Sequence, residues 1–103
     1  MDMSMHKQGQ SAEQVITITK DMTTNRTGKE GADVLSTPAL LGLMENTSIK
    51  VSDHMLPDNC TSVGFAVDRL RHIAPSSVGS QVRLRAEITD IDRNRLTYSI
   101  EAF

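Results

Sequence analysis

The sequence predicts an α+β fold in which one amphipathic helix lies against a four-stranded antiparallel sheet. Three features point there. A stretch beginning at Thr37-Pro38 carries apolar residues at helical spacing. Two stretches at the end, 81–91 and 96–103, alternate apolar and polar residues across the short polar turn "DRNR" and read as a hairpin. Two earlier runs, 14–20 and 61–70, carry β-branched residues between loop-like segments. With 103 residues and 38% hydrophobic content, the chain has room for one domain, near the smaller end of what buries a useful core alone.

In chain order, residues 1–13 are polar with scattered methionines and no period. They predict a mobile tail, with His6 solvated in it, ahead of a single domain over 14–103. The run "QVITITK" places Ile16 and Ile18 on one strand face. Residues 21–33, with two glycines and mixed charge, read as loop. Thr37 then offers a hydroxyl to cap free amides, and Pro38 suits a first helical position that needs no N–H. At about 100° per residue, Leu40, Leu43, Met44, Thr47 and Val51 share one broad face, with Ala39, Asn46 and Lys50 opposite. The helix is expected to end near 52–54, where His54 suits the negative end of the dipole, before the turn "LPDNC". Gly64 inside the next strand suggests a bulge or a close approach of another backbone or ligand. In 81–91, Val82, Leu84, Ala86 and Ile88 share one face, and Arg83, Arg85 and Glu87 the other.

Composition excludes several function classes. Net charge is −2 with acids and bases interspersed, which argues against a nucleic-acid partner. Apolar runs are only a few residues long, so no membrane span is expected. The N-terminal stretch lacks the apolar core of a secretion signal, and Cys60 is the one cysteine; both fit a cytoplasmic protein. Cys60 lacks an activating motif and reads as a small residue entering a strand. Phe65, Tyr98 and Phe103 are the only aromatics, too few for base stacking. No metal-ligand spacing of His or Cys is present, and no cofactor is expected.

The stretches "GADVLSTPALLGLMENTS", "LPDNCTSVG" and "RHIAPSSVGSQVRLRAEITDIDRNRLTYSIEA" together resemble the hotdog-fold acyl-CoA thioesterases, in particular the fluoroacetyl-CoA-thioesterase-like branch. The resemblance covers roughly residues 13–103 and rests on the order and spacing of the pieces. It implies a long central helix wrapped by a curved antiparallel sheet, a homodimer at least, and acyl-CoA or a similar thioester bound between subunits. It also implies a thioester-cleaving set of Thr, Glu and His, which falls on Thr37, Glu45 and His72, with Gly64 beside the thioester. Arg71, next to His72, is a candidate contact for a CoA phosphate. Against that pattern His72 follows Gly64 by eight residues rather than seven, which calls for a bulge. Relatives continue into one more strand after "SIEAF", so a hotdog shortened at its C-terminus is expected, with unpaired edges and part of the helix uncovered.

The chemistry suits the residue types. Glu45 is placed to act as a base on water. His72 is a second proton acceptor, and Thr37 sits at the positive end of the helix, as oxyanion support or as a nucleophile activated by His72. Thr37 and Glu45 lie on one side of the helix but about 12 Å apart along its axis. If both touch one thioester carbon, one comes from each subunit. Two other readings remain open: a non-catalytic hotdog module that binds acyl-CoA or a small apolar ligand, and an oligomerising interaction protein whose free edge recruits a strand.

Overall fold

The computed structural model describes residues 3–103. Its frame is the pair of alternating stretches. Strands β4 (Gln81–Asp92) and β5 (Arg95–Ala102) pair antiparallel about a turn in which Arg93 takes the left-handed region at φ 59°. Alternation turns Val82, Leu84, Ala86 and Ile88 inward, each 5% exposed or less. Each large aliphatic side chain among them contributes roughly 1.5–3 kcal/mol by leaving water. A register shift between Ile88 and Asp90 marks the expected kind of bulge, though in this strand.

Strand β1 (Ser11–Thr17) flanks β4 on its other side, so the sheet order is β1-β4-β5. It starts three residues before the run anticipated at 14–20, and hydrogen bonds to Ile88 reach back to Gly9 and Gln10. The residues before it are also placed. His6, expected in solvent, is 4% exposed, and its Nε2 donates to the Ser52 carbonyl at 3.1 Å. The cause is the helix end, whose last carbonyls have no partner within the helix. Residues 1 and 2 lie outside the described residues. From either side of the anticipated loop's tip, β2 (Thr23–Thr24), inside 21–33, and β3 (Val34–Leu35), just after it, form a short antiparallel ribbon that leads the chain into the helix.

Helix α1 (Thr37–Ser52) lies across the sheet, followed by a 3₁₀ turn over Asp53–Met55. Leu40, Thr47 and Val51 are buried as their spacing predicts. Leu40 joins Ile18, Leu35, Val82 and Leu84 in one core cluster; Val51 joins Ala86 and Ile88 in a second. Between the clusters Thr47 is fully buried but satisfied, receiving a hydrogen bond from Gln14 Nε2 at 2.7 Å and donating to the Leu43 carbonyl. That polar link ties the helix to β1.

The sheet has three strands where four were expected. Residues 61–70 belong to no strand among the described residues. The segment's start is tethered by Ser62 Oγ, which donates to the Asp53 carboxylate. Beyond that, the chain is separated from the free edge of β5 by a cavity of about 1220 Å³. Without a neighbour to pair with, strand propensity alone makes no ladder.

Candidate active site

The helix start is built by Ser36 rather than Thr37. Ser36 has extended backbone angles and its Oγ accepts from the Ala39 N–H at 3.2 Å, so Ser36 is the N-cap and Pro38 takes the second helical position. Proline costs nothing there, because its N–H would have no helical partner. The consequence is chemical. With the cap filled by its neighbour, the Thr37 hydroxyl is free, and it lies 2.9 Å from His72 Nδ1. With that nitrogen unprotonated, the hydroxyl donates to it.

His72 reaches Thr37 from the far end of the extended segment. Between Gly64 and His72, Arg69 takes the left-handed region at φ 58°. A single left-handed residue costs a side chain roughly 1–2 kcal/mol. The bulge that the eight-residue spacing called for has no counterpart, because residues 64–72 pair with no strand among the described residues; the chain path alone brings His72 to the helix start.

Glu45, two turns along α1, is exposed and does not meet Thr37 within the chain. Its neighbour is Gly64: a β-carbon added there would lie 3.1 Å from Glu45 Oε2. Gly64 is therefore a close-approach glycine, whose missing side chain leaves room for the carboxylate. Glu45, Gly64 and His72 line the same large cavity, and Arg71 lies on its wall, exposed and without an ion pair among the described residues. The structure thus brings together two pairs, Thr37 with His72 and Glu45 with Gly64.

A second cavity of about 240 Å³ opens past Glu45 and Gly64 toward the helix C-terminus. Its polar wall was not legible in the sequence. Ser52, buried at the helix end, hydrogen-bonds Tyr98 on β5. Burial raises the Tyr98 pKa above the ordinary 10.0; the Ser52 hydrogen bond opposes this and the nearby Asp53 charge adds to it. A serine and a tyrosine 46 residues apart carry no sequence signal of their pairing. Among the described residues, no three His, Cys, Asp or Glu side chains are grouped to hold a metal ion, and no helix is long and apolar enough to cross a membrane.

A long helix packed against an antiparallel sheet is the hotdog architecture. The chain belongs to the fluoroacetyl-CoA-specific thioesterase (FlK) family, whose model matches residues 18–103. Solved structures agree. FlK itself aligns with a TM-score of 0.84 at 21% identity over 95% of this chain and 76% of its own. A hot-dog-like protein from Thermanaerovibrio acidaminovorans gives 0.79 at 25% identity, covering 92% of this chain and 70% of its own. A thioesterase superfamily member from Thermus thermophilus gives 0.83 at 25% identity, covering 98% and 74%. Among curated protein sequences none matches.

Proposed function

We propose that this chain hydrolyses an acyl-CoA thioester to free CoA and a carboxylic acid. The observation that carries the reading is the 2.9 Å contact of Thr37 Oγ1 with His72 Nδ1, made across 35 positions of sequence inside a thioesterase family. His72 accepts the threonine proton as the hydroxyl oxygen attacks the thioester carbonyl. The positive end of α1, at which Thr37 sits, favours the developing oxyanion. The carbon–sulfur bond breaks, and the CoA thiolate leaves with the proton returned from His72. Water then attacks the acyl-threonine carbonyl as Glu45 accepts its proton, the carbon–oxygen bond to Thr37 breaks, and that proton passes to the leaving threonine oxygen, which restores both groups.

Glu45 and Thr37 reach one carbon most readily from two subunits, so a homodimer forms part of the proposal. The exposed apolar side chains of Val63, Phe65 and Val67, 84%, 78% and 58% exposed, support a covered surface on this segment. Gly64 leaves space for the thioester beside Glu45, and Arg71 meets a CoA phosphate. A variant of FlK has been solved with fluoroacetate and CoA, which supports a CoA thioester as the substrate class. The exposed Glu45, which does not meet Thr37 within the chain, favours a second reading, a module that binds acyl-CoA without turnover. Free-thiol release from short, medium and aryl acyl-CoAs separates the two. Turnover lost in Glu45→Gln supports the hydrolase; binding without turnover, unchanged in Glu45→Ala, supports the module.

A further inference from the structure

Helix α1 is held at both ends to the extended segment that follows it. Thr37 at its start meets His72, and Asp53, which caps its C-terminus, meets Ser62. The second contact engages both carboxylate oxygens: Ser62 Oγ donates toward Oδ1 at 2.7 Å and Oδ2 at 2.9 Å. Between these attachments Glu45 faces Gly64, with so little clearance that a β-carbon on the glycine would lie 3.1 Å from Oε2. Gly64 follows Ser62 by two residues, at most about 7 Å of chain. Where Ser62 is held therefore bears directly on where Gly64 sits.

For the helix alone, Asp53 is a poor choice. A carboxylate at a helix C-terminus opposes the dipole, which favours a cation there. The cap itself does not need the side chain, because the backbone N–H of Asp53 makes the bond to the Ile49 carbonyl. A second contact of the carboxylate, to Ser52 Oγ, is long at 3.5 Å, and that hydroxyl is engaged by Tyr98. The contact that remains for Asp53 is Ser62. A residue that breaks a local rule of stability in favour of a contact outside its own element is where function is expected.

We propose that Asp53 is a positioning residue: through Ser62 it holds Gly64 against Glu45, and so fixes the carboxylate that takes the proton from water in the second half of the reaction. The consequence for catalysis rests on the hydrolase reading, whereas the seating of Gly64 does not. Asp53 touches no reacting atom. Its loss therefore slows hydrolysis of the acyl-threonine and spares its formation, in which Thr37 and His72 act.

The test uses the full chain and has two arms. The first reads the contact without turnover, by NMR. Glu45→Gln is expected to move the Gly64 amide resonance in the wild type and to leave it nearly unmoved in an Asp53→Ala background. Asp53→Asn keeps an acceptor oxygen for Ser62 and restores the response. The second arm is kinetic. In Asp53→Ala, kcat falls by up to about 10²-fold, the cost of a small misplacement. KM falls with it, kcat/KM stays nearly constant, and a burst of thiol precedes the steady state. Ser62→Thr keeps the hydroxyl and most of the rate, whereas Ser62→Val, of the same shape as threonine, behaves as Asp53→Ala. A merely structural loss would instead lower kcat and kcat/KM together, in step with the folded fraction. Equal movement of the Gly64 resonance with and without Asp53 overturns the proposal. So does an unchanged kcat in Asp53→Ala, or Ser62→Val as fast as Ser62→Thr. A wild type that releases no thiol sinks the hydrolase reading alone, and the Gly64 resonance still decides the seating.

Discussion

Ser36 and Thr37 are chemically similar neighbours, and which of them caps the helix decides what the other can do. Ser36 takes the Ala39 amide, which leaves the Thr37 hydroxyl to His72. Thr37→Ala should therefore leave the fold intact while reducing kcat by about 10²–10⁴-fold, the usual worth of a positioned proton acceptor and its donor; far-UV circular dichroism and thiol release check both halves. Gly64→Ala places a methyl against the Glu45 carboxylate, the movable tip of a flexible side chain. We expect a severalfold fall in kcat with unfolding midpoints nearly unchanged. Tyr98 gives a third residue-scale prediction. As the sole tyrosine, it reports cleanly in a spectrophotometric titration, and its midpoint should lie above 10.0. The unfolded chain then releases this proton first. The stability Tyr98 contributes is full below pH 10 and is lost as pH rises through its folded-state pKa.

Helix α1 and strand β4 carry the stability at the scale of elements. Leu84 is fully buried between sheet and helix, so Leu84→Ala should cost about 2–5 kcal/mol in urea unfolding. Ser36→Ala should cost about 1 kcal/mol, as loss of a helix cap does. These elements were legible because one face is apolar at a fixed period: Val82 through Ile88 at period two, Leu40 through Val51 at helical spacing. The ends were less so. Ser36-Thr37-Pro38 offers two hydroxyls for one cap, and local sequence does not rank them. His6 looked solvated because its partner, the Ser52 carbonyl, lies 46 residues away. The stretch 61–70 has strand composition, but a strand exists only where a neighbouring edge meets it. The candidate site was proposed from residue types in an order resembling the family's, and the structure brings Thr37 to His72 and Glu45 to Gly64. That His72 reaches Thr37, past a left-handed Arg69, is a matter of backbone path that spacing alone did not fix.

At the scale of the whole molecule the chain is open. Its radius of gyration is 15.5 Å, against about 13 Å for a compact domain of 100 residues. Its accessible surface is 7344 Å², against about 5,700 Å² for a folded monomer of this mass. The excess is about twice the 800 Å² or so that one partner gives to a standard protein–protein interface, enough for a covered face. Val63, Phe65 and Val67 are exposed apolar side chains on the segment, Phe65 bearing only the Arg95 guanidinium over its ring. Sedimentation should therefore show a dimer, and Val67→Asp should shift it toward monomer. The central claim concerns two residues that this open frame brings together: Thr37 and His72 act as one unit on a thioester. The most direct measurement is a double-mutant cycle on kcat/KM for CoA thiol release, using Thr37→Ala, His72→Asn and the pair. If they act as one unit, each single variant loses most of the rate and the double variant loses little more than either. Losses that multiply independently, or single variants as active as the wild type, would contradict the account.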